Sequence, residues 1–293
     1  MAQGTPRPLR PLCRRRQVVL VCCAVTAQKN TVSVLPKPKI SYLCPMITTE
    51  EKDFIFGIRP IQEAITAGKE IDRILIEKDL KSPHITELIT TCIQLHIPFV
   101  RVPVEKLNRI TKKNHQGVIA YLSSIVYASL DHVVTEAFAA GRNPLILILD
   151  RITDVRNFGA IARTAECAGV DAIVVPEKNS ARIGGDAFKT SAGALSFIPV
   201  CREQNMFNAI KYLKNSGLQI VACTEKSNKD VFYIDLTPPT AIIMGSEEDG
   251  IMHEYIEQCH LAVKIPMQGK ISSLNVSVAT GVILFETMRQ RTV

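Results

Sequence analysis

"IPMQGKISSLNVSVATGVILFE", residues 265–286, decides how the second half of this chain folds. Its latter part is small and apolar, as a helix packed on all sides should be. Ser272, Ser273, Asn275 and Ser277 crowd the point where that helix begins. The first N–H groups of a helix lack intrahelical partners, but one Ser or Asn cap is enough to start it. Four polar groups exceed that need, and the excess points to a binding surface at the helix mouth.

Upstream, "PLILILD", "AIVVP", "SFIPV", "QIVACT", "TAIIMG" and "LAVKIP" read as near-continuous apolar strands, with helical stretches among them. Strands of this kind are buried on both faces, which predicts a mostly parallel sheet covered by helices. Ligands of such sheets bind at the carboxyl ends of the strands. Two further polar clusters follow strands there. In "LDRITDVRNFGAIARTAECAG" the strand ends at Asp150 and a loop is expected to carry Asp154, Arg156 and Asn157. Gly159 then starts a helix with Arg163 in its first turns. In "AIIMGSEEDGI", Gly245 and Gly250 bracket Glu247, Glu248 and Asp249. Glycines so placed suggest a close backbone approach. The acids fit a solvated turn, a metal site, or complements to the N-terminus of the next helix.

The first half is built differently. "FIFGI", "IDRILIEK", "PFVRVP" and "GVIAYLSS" alternate with helical stretches, one of them opened by Ser82 and Pro83. The expected division is an extension at 1–45, a small α/β unit at 46–124, a linker at 125–142 and the parallel-sheet unit at 143–293. No GxGxxG, GxxxxGK[ST] or GxSxG occurs, which leaves dinucleotide sites, phosphate loops and nucleophile elbows unsupported. The six His and nine Cys show no ligand spacing, so no metal is expected. The odd Cys count without a framework favours reduced thiols and a cytoplasmic setting, with Cys92, Cys167, Cys223 and Cys259 as small buried hydrophobes.

The net charge of +7 misleads, because residues 1–45 carry +8 and no acid, leaving the remainder at −1. A nucleic-acid site must therefore be a local patch. Trp is absent and aromatics are few, so stacking on single-stranded bases should not dominate. The Arg-rich extension has an apolar run from Val18 to Val25, too short to span a bilayer. It reads as an upstream mis-start, an organellar transit peptide or a signal peptide.

Taken in order, "NFGAIARTA", "GSEEDG" and "IPMQGKISSLNVSVA" resemble the three motifs of the SpoU/TrmH class of SPOUT RNA 2′-O-methyltransferases. The likeness spans about residues 143–290. "FGIRPIQEAI" and "HQGVIAYLS" resemble the L30e-like RNA-binding domain fused to this family, and the combination is most similar to bacterial 23S rRNA (guanosine-2′-O-)-methyltransferases. The resemblance implies a trefoil knot holding S-adenosylmethionine against Gly245, Ile265, Leu274, Met244, Gly250 and Met267. It implies catalytic roles for Arg163, Asn157, Glu247, Ser273 and Asn275, a homodimer through the knot domain, and large-subunit ribosomal RNA as partner. Arg59, Lys112, Lys113 and His115 are candidates for the basic patch that holds RNA. Two other readings stand beside this one: a tRNA ribose methyltransferase, and a non-catalytic RNA-binding or ribosome-assembly factor.

Overall fold

A computed structural model describes residues 54–271 and 273–292 of the chain. The readings of the extension at 1–45, and of Ser272 at the helix mouth, lie outside the described residues. The first elements are β1 (Phe54–Phe56), α1 (Ile58–Thr66), β2 (Ile71–Glu77), α2 (Pro83–Gln94), β3 (Phe99–Val102), α3 (Val104–Ile110) and β4 (Val118–Leu122). They make a four-stranded sheet of order β1-β4-β2-β3, in which β2 and β3 run parallel and β4 is antiparallel to both its neighbours. Strand alternation sends Ile74, Ile76, Val118 and Ala120 to the face covered by Ile61 of α1 and by Ile85 and Leu88 of α2. Leu75 and Ile119 face the other way, under Leu107 of α3. Ser82 caps α2 as the sequence requires, its Oγ accepting from the Ile85 N–H at 3.3 Å.

After α4 (Leu130–Ala139) come β5 (Leu145–Leu149), α5 (Val155–Cys167), β6 (Ala172–Pro176), α6 (Gly185–Thr190), β7 (Val200–Glu203), α7 (Met206–Asn215), β8 (Gln219–Cys223), β9 (Thr240–Met244), α8 (His253–Ile256), β10 (Leu261–Val263) and α9 (Val276–Thr292). The six strands form one sheet of order β10-β8-β9-β5-β6-β7, and each neighbouring pair is parallel. Leu145, Leu147 and Leu149 pack beneath α5 and α9, whereas Ile146 and Ile148 pack beneath α4 and α7. This is the doubly covered sheet that the apolar runs predict. Each aliphatic side chain fully removed from water contributes about 1.5–3 kcal/mol, which commits both faces to helices.

Three expectations are corrected. Helix α5 starts at Val155, not Gly159, because Asp154 caps it by accepting from the Arg156 N–H at 2.7 Å. Asn157 therefore sits on a helix. Gly159 serves packing: a Cβ there would lie 2.6 Å from Cβ of Thr190, where α5 crosses α6. "SFIPV" is not a strand. A 3-10 turn occupies Ala194–Ser196, and pairing begins only at Val200, after Pro199, which has no N–H to give. Cys167 is exposed, unlike Cys92, whose thiol burial pushes up to about 11.

The two sheets are fastened by partly buried polar contacts. Arg202, just past the start of β7, donates to the carbonyls of Ile71 and Asp72 at 3.4 and 3.2 Å. Its guanidinium lies 4.1 Å from the ring centre of Tyr127, whose hydroxyl donates to Asp72 Oδ1 at 3.4 Å. Among the described residues no helix is long and apolar enough to cross a membrane.

Helix α9 is buried on most sides, and its polar groups there are satisfied internally. Thr280 and Thr287 donate to the carbonyls of Val276 and Ile283 at 2.7 and 2.8 Å. The Glu286 carboxylate is 8% exposed and accepts from Arg289 Nε at 2.8 Å and from Gln290 Nε2 at 2.8 Å. Gln290 in turn accepts from the Leu236 N–H at 2.8 Å, pinning the segment before β9. Arg289 holds the Glu286 carboxyl down at about 2. A depressed carboxylate stabilises the fold above its unfolded value, near 4.3, and loses that contribution as pH falls through the folded value. Thermal melts of Glu286→Gln should therefore show less acid destabilisation below about pH 4 than the parent. Equal acid slopes would remove this role from Glu286.

Candidate active site

At the carboxyl end of β9 the chain makes the tight turn anticipated between two glycines, and what they approach is each other. A Cβ on Gly245 would lie 2.2 Å from the carbonyl carbon of Gly250 and 2.4 Å from the Ile251 nitrogen. Ser246 and Gly250 form a bridge, with the Gly250 N–H donating to the Ser246 carbonyl at 3.0 Å, and Gly250 has φ 69°. A clamp holds the turn from below. Asp150, 1% exposed, accepts from the Met252 N–H at 2.8 Å and from Arg151 Nε at 3.1 Å. Arg151 reaches onward to Asp249 at 2.9 Å and to the Gly250 carbonyl at 3.0 Å. It does so from a left-handed backbone, φ 56°, which is unfavourable for a residue with a Cβ and is sustained here by four polar contacts.

The three motifs meet on one carboxylate oxygen. Glu247 Oε1 accepts from Asn157 Nδ2 at 3.1 Å, from Asn275 Nδ2 at 2.7 Å and from the Val276 N–H at 3.3 Å. Asn275 Nδ2 also donates to Asn157 Oδ1 at 3.1 Å. The polar crowd at the mouth of α9 thus divides its labour. Asn275 Oδ1 caps the helix, accepting from the Ser277 N–H at 3.0 Å and the Ser277 hydroxyl at 2.5 Å. The amide nitrogen of the same side chain joins the clasp. The acids of the turn also part ways: Glu247 goes to the asparagines, and Asp249 to Arg151.

Beside the clasp lies a cavity of about 430 Å³ at the carboxyl ends of β8 and β9. Met244, Gly245, Gly250, Ile265, Met267 and Leu274 line it, as do Glu247, Ser273 and Asn275. Gly245, Ile265, Met267 and Leu274 lie past the ends of β9 and β10 and before α9, so their main-chain groups are not spent in a ladder or helix. The sequence reading missed Cys223, Thr224, Glu225 and Ser246, which line it too. The signal was there: "TEK" follows the apolar run of β8, as polar residues follow each site-bearing strand.

Arg163 is placed apart. It is exposed on α5, six residues beyond Asn157 and so about 9 Å further along the axis, and it does not line the cavity. Asn157 does not line it either, and is joined to its wall by the bond to Glu247. Of the basic candidates in the first unit, Arg59, Lys112 and Lys113 are exposed. Gln116 Oε1 accepts from the Ile58 N–H at 3.3 Å, which draws the 111–117 loop to the start of α1, where Arg59 sits. His115 does not join the patch. It is 8% exposed, with Nε2 3.0 Å from Asn108 Oδ1 and Nδ1 accepting from the Gly117 N–H at 3.0 Å, and it staples the turn before β4.

Two family models match the chain: "SpoU rRNA Methylase family" over residues 144–285, and "RNA 2′-O ribose methyltransferase substrate binding" over residues 54–128. A putative TrmH family tRNA/rRNA methyltransferase of Staphylococcus saprophyticus is 35% identical over 241 residues, covering 82% of this chain and 97% of that protein. The 23S rRNA (guanosine-2′-O-)-methyltransferase RlmB of Photobacterium profundum is 34% identical over 241 residues, covering 82% and 98%. Among solved structures, the SpoU methyltransferase AviRb from Streptomyces viridochromogenes, in complex with AdoMet, aligns with TM-score 0.52 and 26% identity, covering 82% of this chain and 90% of that one.

The contact between Gly245 and Gly250 is backbone on backbone, so nothing flexible can yield to a side chain. Gly245→Ala should lower stability by about 1–3 kcal/mol, read by urea unfolding, and abolish ligand binding in the cavity, read by calorimetry with S-adenosylmethionine. An alanine variant of parental stability and affinity would contradict this account of the turn.

Proposed function

The chain belongs to the SpoU rRNA Methylase family and is an S-adenosylmethionine-dependent RNA ribose 2′-O-methyltransferase, and on that premise we propose that it methylates a guanosine of large-subunit ribosomal RNA. The observation that carries the reading is the clasp of Asn157, Glu247 and Asn275 beside a cavity fit for the methyl donor. Met244, Ile265, Leu274, Val276 and Ala279 offer an apolar wall for an adenine ring and thioether carbons. Thr224 and Glu225 offer a hydroxyl and a carboxylate for ribose hydroxyls or an ammonium. The trefoil threading implied by the motifs would wrap the segments after β9 and β10 around that ligand. The ribosomal target rests on the likeness to a protein named as a 23S rRNA methyltransferase; tRNA remains the second reading, because the first relative is named for both.

When bound, the donor supplies an electrophilic sulfonium methyl, so the protein's task is chiefly alignment. As the 2′-oxygen takes the methyl, the S–C bond would break to leave a thioether, and the hydroxyl proton would pass to water. A guanidinium holds its proton too tightly to serve as a base, so Arg163 would act by stabilising the developing alkoxide electrostatically. Ser273 and Asn275, on the cavity wall, would bond the ribose. Arg163 lies outside the cavity of its own chain, and pairing of two copies supplies a route to a site. Val278 and Phe285, 53% and 44% exposed, form an apolar stripe on α9 with Gly281 between them. Thr164 Cγ2 of α5 lies 3.6 Å from the place a Cβ on Gly281 would take. Arg163 precedes Thr164 on α5, and we propose that a homodimer joined at the stripe brings it toward the partner's cavity.

Labelled methyl transfer from the cofactor, compared on ribosomal RNA and tRNA with residue-level mapping of the product, tests the substrate. Transfer to tRNA alone selects the second reading, and transfer to neither defeats both. Arg163→Ala and Arg163→Lys should each lower turnover at least about 100-fold while retaining cofactor affinity, since a point charge poorly replaces a planar fork. Phe285→Glu should shift the protein to monomer in sedimentation and lower activity with it. Parental turnover in the arginine variants would end the proposed role.

A further inference from the structure

Resting on the RNA-modifying reading above, we infer that a second cavity, at the carboxyl ends of β5, β6 and β7, holds one RNA base adjacent to the nucleotide that is methylated. The cavity measures about 500 Å³, inside the range of sites for small planar ligands. It shares a partition with the first cavity. Arg151 lines the second cavity and bonds the carbonyl of Gly250, which lines the first. A strand of RNA presenting its ribose to one chamber has a neighbouring base within reach of the other.

The chemistry of the walls selects the ligand class. Arg151 and Lys178 are offset by buried Asp150 and by Glu254, a balance that disfavours a phosphate. What remains is amides and rings. Asn179, Gln204 and Asn205 carry carbonyl acceptors beside paired N–H donors, the pattern that reads base edges. Asn205 spends its oxygen capping α7, accepting from the Asn208 N–H at 3.1 Å, and keeps its amide nitrogen free for a ligand among the described residues. Phe207 is half-buried on the wall and offers a ring to stack against.

Two features shape its wall. Asn179 lines the cavity from a left-handed backbone, φ 60°. Tyr255 lines it too, its ring packed and its hydroxyl accessible to solvent and to a ligand. A phenol with its ring packed and its hydroxyl accessible can exchange water for a base edge. Burial, and then the nearby charges of Asp150 and Glu254, push that hydroxyl's pKa up.

The test uses the full chain and the RNA it methylates, with each base around the modified ribose replaced in turn by an abasic residue. For the parent protein, loss of one flanking base should raise KM for RNA about tenfold, with kcat and cofactor affinity unchanged. The double variant Asn179→Gly, Gln204→Ala keeps the left-handed backbone and removes two readers. It should show that rise already with intact RNA, and no further rise with the abasic one. Equal abasic penalties in parent and variant, or a variant of parental KM, would overturn the inference. If the parent transfers methyl to no RNA, the proposed function has failed separately. The cavity is then tested by fluorescence anisotropy on the same ribosomal RNA fragments, with the same two outcomes deciding it.

Discussion

One carboxylate oxygen, Glu247 Oε1, organises the reactive end of the parallel sheet. Its three donors come from α5 and from the mouth of α9, segments far apart in sequence. A hydrogen bond to a charged acceptor contributes about 1.5–3 kcal/mol when shielded, and less where water competes, as it does at this exposed cluster. The greater effect is geometric. A helix N-terminus, an asparagine and an acidic turn are held in one arrangement before any ligand arrives, and preorganisation of this kind is what alignment-driven transfer needs.

The turn that presents Glu247 exists because two backbones touch. Gly245 and Gly250 leave no room for a Cβ, and Asp150 and Arg151 grip the loop from the end of the neighbouring strand. These residues do no chemistry in the proposed reaction. They convert the order of strands, with β9 beside β5, into a fixed separation between the cavity at the ends of β8 and β9 and a polar chamber on the other side of the same loop.

Much of this was legible in the sequence. Near-continuous apolar runs announced a sheet buried on both faces, and the strand-end rule located the clusters. The cavity residues Met244, Gly245, Gly250, Ile265, Met267 and Leu274 followed from motif positions. What escaped depended on partners distant in sequence. Nothing local revealed that Asp154, not the residues around Gly159, would cap α5, because a glycine in helical context reads as a boundary until α6 is seen crossing it. His115 looked like part of a basic loop, and its burial against Asn108 is a tertiary fact. Asn157 and Asn275 were each assigned to the site, but their mutual bond joins residues 118 apart. Arg163 was placed in the pocket by motif alone, and a single chain leaves it outside.

The fastening of the two sheets has its own consequence. Arg202, Tyr127 and Asp72 lock the small unit to the catalytic one through carbonyls, a ring and a buried carboxylate, which are short-range contacts with little give. A substrate gripped by the small unit would then be measured against a rigid span. For a substrate held there, selection would fall to length, because its reactive sugar would have to lie a fixed distance from the part the small unit grips.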